Sequence, residues 1–479
     1  MGEAWERRAA NRGQAGAAAS SLPETRCKLT KAQSRLLLRR MSHSRTFIVV
    51  VFLSSVLLGA LTGLSGCRAP GGGPQPSAGV TSPWRPPPRP LPAQIRAVWV
   101  ARFHYRQADD VRTIIRNCAA VGCNTVLWQV RGEGTVTYPS HIEPWSREFN
   151  FQDPGFDPLA IAVSEAHRHG LRIEAWFNVV PGWKGRQPPP TWLTSQLWYA
   201  HPEWFLHDAA GRPQPLNDNY VILNPCWPEV RRHIVSVVDE LLSRYDLDGI
   251  HLDYVRYAWD GDKNGKERYP RDARTLALYR RETGRAPDDD PGAWDHWRAN
   301  QLTRLVAEIR TTVERRRPGA SLTAAVWRDP QLGYRQYLQN SVAWLRSGLV
   351  DALMPMAYTE QADRFVQDIE LYRRLVGARR IVPGIGLYLH KTPDATAAQM
   401  RACADWGGSC ALFSYEALFA TAGDRQAQPQ QRAEAQRLRQ LRRQVLGEFF
   451  STRAASRALN RTASSSTARV RWGEDRLPI

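Results

Sequence analysis

Three observations in this 479-residue chain predict a (β/α)8 TIM barrel. Eight strand-length apolar runs alternate with helix-length amphipathic runs over residues 93–420. Polar and acidic side chains collect at the C-terminal ends of those runs, where barrels of this kind carry their chemistry. No GxGxxG loop follows the first run, which argues against a doubly wound open sheet.

The first strand is expected over Ile95–Ala101, followed by a helix from Gln107 to Val121. Gly122 turns the chain into a second strand, Thr125–Arg131, and a long polar loop carrying Gly132, Gly134 and Pro139 follows. A helix from Pro158 ends at Gly170, and Arg172–Asn178 is the third strand. The insert from Pro181 to Pro225, rich in Trp, Pro and Tyr, is too long for an ordinary βα loop and is expected to wall a cleft. An amphipathic helix, Pro228–Tyr245, leads into the run Leu247–Tyr257, around which the chain is organised. There Ile250 and Leu252 fill one face, while His251 and Asp253 point to the other. Downstream, Trp294–Arg317 is a long helix closed by Pro318-Gly319. Strands then follow at Leu322–Trp327, Val350–Tyr358, Ile381–Tyr388 and Ser409–Tyr415, with helices near 342–347, 363–376 and 396–406 between them.

The two ends read differently. The apolar run from Phe47 to about Leu61 is short for a membrane span, has the length of a signal-peptide core, and is followed by Leu64-Ser65-Gly66-Cys67. That tetrad resembles a bacterial lipobox, so 41–66 is expected to be a lipoprotein signal with Cys67 lipidated. Met41 is then the expected start, and 1–40 an extension. Arg68 after the lipidated Cys implies the periplasmic face of the outer membrane. Residues 67–92, with Gly71-Gly72-Gly73 and Pro86-Pro87-Pro88, form a tether. Residues 421–479 form a basic tail, helical over about Pro429–Phe450 and irregular at Ser464-Ser465-Ser466.

The formal charge of +19 lies in the ends: ten Lys/Arg against three acids in 1–67, and twelve Arg against four acids in 425–479. Between them 43 basic and 39 acidic residues nearly balance, so no nucleic-acid partner is expected for the folded domain. Beyond the first 67 residues stand Cys118, Cys123, Cys226, Cys403 and Cys410. None forms a CxxC pair, so no metal site is expected; an oxidising compartment would permit Cys118–Cys123 and Cys403–Cys410 bridges.

The predicted barrel mouth gathers Gln129, Arg131, Asn178, His251, Asp253, Asp329, Tyr358 and Glu416, with Trp99, Trp176 and Trp327 close by. A mixed carboxylate–aromatic mouth suits glycoside cleavage, in which one carboxylic acid protonates the leaving oxygen and a second carboxylate attacks the sugar or activates water. No GxSxG elbow, HExxH helix or P-loop competes with that reading, and no cofactor is implied. Eighteen tryptophans add flat faces able to stack on sugar rings.

The runs Ile95–Val100, Trp128–Arg131, Ala175–Asn178, Asp248–Tyr257 and Met354–Tyr358 resemble the glycosyl hydrolase-like 10 family over about residues 93–420. The resemblance implies a bacterial, often lipid-anchored barrel, with peptidoglycan glycan strands as the substrate class. Asp248-Gly249-Ile250-x-x-Asp253 is also similar to the fourth strand of family-18 chitinases, but Val255 stands where their general acid would be. Asp253 is therefore expected to be acid or nucleophile itself, with its partner drawn from Glu416, Asp329 or, behind them, Glu133. Arg131 and Arg256 are expected to neutralise Asp253 or bind an acidic sugar. Trp99, Gln129, Asn178, His251, Tyr257, Trp327 and Tyr358 complete the expected substrate-binding set. The competing function is a non-catalytic glycan-binding lipoprotein on the same barrel, which would keep the tryptophans and need no carboxylate pair.

Overall fold

A computed structural model describes residues 85–257, 268–377, 380–426 and 428–467, the side chains of 425–426 and 452–467 excepted. Cys67, the apolar run before it and the tether as far as Trp84 lie outside these residues.

In chain order the strands are β1 (Arg96–Val100), β2 (Thr125–Arg131), β3 (Arg172–Asn178), β4 (Pro181–Gly185), β5 (Asn217–Ile222), β6 (Gly249–Asp253), β7 (Ser321–Val326), β8 (Ala352–Pro355), β9 (Gly384–Gly386) and β10 (Cys410–Phe413). All but β4 and β5 form one parallel sheet in the order β8-β7-β6-β3-β2-β1-β10-β9. Bridges between Leu353 and Ile381 and between Met356 and Gly384 join its two ends, and the sheet closes into the expected barrel. The β4–β5 hairpin is antiparallel and forms the core of the long insert.

Strand alternation sorts the side chains. Val98, Val126, Ile173, Ile250, Leu252 and Leu322 point outward into the layer beneath the helices, the larger core. Ala97, Trp99, Leu127, Trp176, Ala325, Met354 and Ala411 point into the barrel. The interior is also polar. Trp99 Nε1 donates to His251 Nε2 at 3.0 Å, which leaves the ring proton on Nδ1, 2.8 Å from Thr323 Oγ1. Thr323 donates in turn to Glu174 Oε2 at 2.6 Å, and Ser321 and Arg172 complete the other oxygen of that carboxylate. Both oxygens of the Glu174 carboxylate are thereby bonded, as a buried charge requires. Gly249 is needed beside it, because a Cβ there would lie 2.3 Å from Ser321 Oγ and 2.7 Å from its carbonyl oxygen.

The helices fall close to where amphipathic spacing puts them. Besides a single turn at Leu197–Ala200, two more are present among the described residues, Ala273–Thr283 and Pro330–Tyr337. Both carry an N-cap acid: Asp272 accepts from the Thr275 amide, and Asp329 from the amides of Gln331 and Leu332. The last helix runs from Pro429 to Thr467, so Ser464–Ser466 continue it where an irregular stretch was expected. The Ala-, Arg- and Leu-containing segment before them has good helix propensity. Its first half packs on the barrel: Arg439 and Arg442 donate to the carbonyls of Glu416, Ala417 and His390, and Leu446 is buried. Cys118, Cys123, Cys226, Cys403 and Cys410 are all buried, and none is in a disulfide.

Candidate active site

β6 delivers Asp253 to the C-terminal end of the barrel, in register with Asn178 of β3. The chain then turns sharply, with Tyr254 in the left-handed region at φ 53°. That turn brings the Tyr254 amide back onto Asp253 Oδ1 at 2.7 Å, while Trp176 Nε1 donates to Oδ2 at 3.2 Å. Arg256 approaches Oδ1 at 3.5 Å and lies 4.1 Å over the Tyr254 ring. Burial pushes the Asp253 carboxyl up. Arg256, the Tyr254 amide and the Trp176 indole pull it back, and the net direction is above the ordinary aspartate value. A shift in that direction favours the protonated carboxyl, the form that general acid work needs.

A second cluster adjoins it. Arg102, just past β1, donates from its amide and Nη1 to Gln129 Oε1, at 3.2 Å each. Its Nη2 is paired with Glu133 at 2.5 Å, and its Nε lies 3.4 Å from Glu148. Glu133, fully buried, is also 2.7 Å from Arg147 Nε. Gly132 makes room for this, since a Cβ there would lie 2.6 Å from the Arg102 guanidinium. Gln129 Nε2 reaches Asn178 Oδ1 at 3.5 Å, and Asn178 Nδ2 donates to the Tyr220 hydroxyl at 3.4 Å. Tyr220 comes from β5 and meets the Tyr254 ring edge-on at 4.7 Å, so the hairpin closes one wall around Asp253. Phe413, Trp99 and Trp176 form an aromatic floor, with Tyr358 stacked on Phe413 at 5.0 Å.

Several expected site residues are occupied elsewhere. Parity predicts that Arg131 faces the mouth as Gln129 does, but β2 carries an irregularity between the two, and Arg131 pairs with outward-facing Phe177. Its guanidinium is fully buried, bidentate to Glu143 at 2.7 and 2.8 Å, and bonded to the carbonyls of Asn178, Val179 and Pro181. It therefore neither neutralises Asp253 nor faces a sugar. His251 shares the inward face of Asp253 but lies a layer below. Both ring nitrogens are bonded within the barrel, and burial pulls its pKa down to about 3. Asp329 spends its carboxylate on the helix cap described above. Tyr257 is buried with its hydroxyl 3.4 Å from Cys226 Sγ. Trp327 lies 5.9 Å from the Arg256 guanidinium and 4.6 Å from the Tyr337 ring. Glu416, half-exposed after β10, lies 3.5 Å from His104; its strand stands four places from β6, on the opposite side of the barrel. Arg102, Tyr220 and Tyr254 were not foreseen. The position of Arg102 just beyond a strand end was the available signal; the two tyrosines depend on the hairpin and the left-handed turn. Among the described residues no group of three or more His, Cys, Asp or Glu is placed to share a metal ion.

Arg131→Met strands a buried carboxylate, and a loss of about 3–5 kcal/mol is expected in urea unfolding at neutral pH. Burial raises the Glu143 pKa, but Arg131 and His233 bring it down to about 2 from 4.5. The stability this supplies is therefore complete above about 4.5 and lost as pH falls through about 2. In the variant that acid-sensitive component should shrink.

The glycosyl hydrolase-like 10 family model matches residues 94–392. Among relatives, glycosyl hydrolase DigH of Escherichia coli (strain K12) is 29% identical over 263 residues, covering 50% of this chain and 55% of that protein. Glycosyl hydrolase YngK of Bacillus subtilis (strain 168) is 25% identical over 295 residues, covering 55% and 54%. The chain thus spans about half the length of these relatives. Among solved structures, the PgaB (BpsB) glycoside hydrolase domain from Bordetella bronchiseptica superposes with a TM-score of 0.53 at 16% identity, over 67% of this chain and 93% of that one. Alpha-L-fucosidase isoenzyme 2 from Paenibacillus thiaminolyticus gives 0.52 at 15% identity, over 76% and 50%. Those two likenesses speak to the fold alone. The matched segment runs from the start of β1 past β9 and includes Asp253 with its surrounding shell, and on that match the chain belongs to the glycosyl hydrolase-like 10 family.

Proposed function

We propose that this chain is a glycoside hydrolase acting on a bacterial cell-envelope polysaccharide, with peptidoglycan glycan strands as its substrate. The observation that carries the proposal is the Asp253 carboxyl, buried under Trp176 and the Tyr254 turn and held above the usual aspartate range. Membership of a glycosyl hydrolase-like family supports it. Asp253 protonates the glycosidic oxygen as the bond breaks, and the transition state gathers positive charge on the sugar. Glu416, from the opposite side of the barrel, is the candidate for the second carboxylate; Asp329 is assigned to helix capping. Asn178 and Tyr358 hydrogen-bond the sugar, and the aromatic floor packs beneath it. The lipobox-like Leu64–Cys67 run supports a site of action at the periplasmic face of the outer membrane, through a lipid on Cys67.

Peptide-free glycan strands treated with the full chain should yield shorter muro-oligosaccharides by mass spectrometry. Asp253→Asn and Glu416→Gln should each lower kcat by about 10²-fold or more, while Asp329→Asn leaves kcat near wild type. Equal cleavage by wild type and Asp253→Asn would remove Asp253 from the mechanism. An acid works only while protonated, so kcat/KM should fall as pH rises through the elevated Asp253 pKa. Arg256 pulls that pKa down, so Arg256→Met should move the alkaline limb to higher pH. For the anchor, labelled palmitate should enter the wild-type chain in cells and not Cys67→Ala.

A further inference from the structure

We propose that Lys184, on β4 of the hairpin beside Asp253, is the recognition point for a carboxylate carried by the bound glycan. The inference rests on reading the barrel mouth as a glycan site and names the chemistry of what enters it.

The charges around the mouth are almost all matched. Arg102 is paired with Glu133 and Glu148, Arg147 with Glu133, and Arg131 with Glu143, while Arg256 lies over the Tyr254 ring, 3.5 Å from the Asp253 carboxyl. Lys184 differs: among the described residues its ammonium has no carboxylate partner, and what it faces is the Tyr220 ring, 5.0 Å to the centroid. It is half-buried. Burial pulls its pKa down, and the Arg102 and Arg147 guanidinium groups add to that against Glu133 and Glu148. An incoming anion would relieve this unfavourable state, and in a partly desolvated wall the attraction is stronger than at an open surface.

The placement is built rather than incidental. Lys184 is the cross-strand partner of Tyr220, and the Arg147 Nη2 donates to the Lys184 carbonyl at 2.6 Å, which holds its backbone. Tyr220 meets Tyr254 at 4.7 Å, and the Tyr254 amide is bonded to Asp253. Two rings therefore separate the ammonium from the acid, which places a carboxylate on a sugar neighbouring the bond to be cleaved. On the other side, Arg147 lies 4.6 Å over Trp183, Trp183 stacks with Phe151, and Phe151 meets Trp192. Trp192 is 59% exposed, one of two large hydrophobic side chains left open among the described residues. An open indole on the same insert as an unmatched cation suits a sugar with an apolar face and an acidic substituent. That substituent is either an ether-linked lactyl carboxylate or the carboxylate of a uronic acid.

The test uses the full chain carrying Asp253→Asn, so that ligands are not consumed, with or without Lys184→Met. Calorimetry would compare a muro-oligosaccharide with its carboxyl-reduced form, and an oligouronate with its reduced form. The parent should bind one acidic glycan about tenfold more tightly than its reduced counterpart, and the pair showing this identifies the source of the carboxylate. Lys184→Met should erase the preference while leaving affinity for the reduced glycan within about twofold, and Lys184→Arg should restore part of it. Unchanged affinity for the reduced glycan also shows that the variant is folded. A parent with no acid preference, a preference that survives Lys184→Met, or no measurable binding of either acidic glycan overturns the inference. Hydrolysis by wild type without an acid preference overturns Lys184 alone, whereas a Lys184-dependent preference without hydrolysis overturns the hydrolase reading alone.

Discussion

The mouth of this barrel depends on one buried cation. Arg131 is fully enclosed, and its guanidinium is bonded to Glu143 and to three carbonyls where β3 passes into the β4 turn. Glu143 in turn receives His233 at 3.0 Å from the helix Pro228–Arg244 that precedes β6. A single planar group therefore ties the loop after β2, the root of the insert and the approach to β6, the strand that carries Asp253. A guanidinium suits this role because it donates in a fixed fork and stays charged when buried. Buried pairs of this kind add little net stability against an apolar replacement; what they contribute is a single arrangement, since any other leaves a charge uncompensated.

Above that tie, burial acts on two residues of one strand face with a shared result. It raises the pKa of Asp253 and lowers that of His251, so each is driven toward its neutral form. Their surroundings separate the consequences. His251 lies within the barrel between an indole donor and a threonine, and its neutrality fixes the direction of a hydrogen-bond chain that ends on Glu174. Asp253 stands at the rim under the hairpin, its carboxyl bonded to the Trp176 indole and the Tyr254 amide. One strand thus carries a polar group locked inside the barrel and the candidate acid at its rim, two residues apart.

The hairpin wall adds a feature that the barrel lacks by itself. Its inner residues, Tyr220 and Lys184, are a cross-strand pair, one touching the ring beside Asp253 and the other carrying a charge not matched by a neighbouring carboxylate. On the proposed reading, the reacting group comes from the scaffold and the recognition group from the insert. That division lets a barrel keep its reacting group while insertions alter what is bound.

Much of this was legible in the residues alone. Period-two alternation located the eight barrel strands, and Asp253 followed from an acid on the inner face of an apolar strand near its end. The runs at β1, β2, β3, β6 and β8 carried the family. Limits arose where a local rule has a hidden exception or an unseen partner. Arg131 obeys strand parity in the sequence, but an irregularity after Gln129 turns it outward. Asp329 reads as a strand-end acid until the backbone places two amides over it. Arg102, Tyr220 and Lys184 are separated in sequence by long segments and meet only because the barrel brings the end of β1 and the β4–β5 hairpin to the same rim. Sequence pattern alone determined which residues alternate, and therefore the barrel and the strand that carries Asp253. Which polar groups are already paired is a property of contacts between distant strands, and only the tertiary structure decided that.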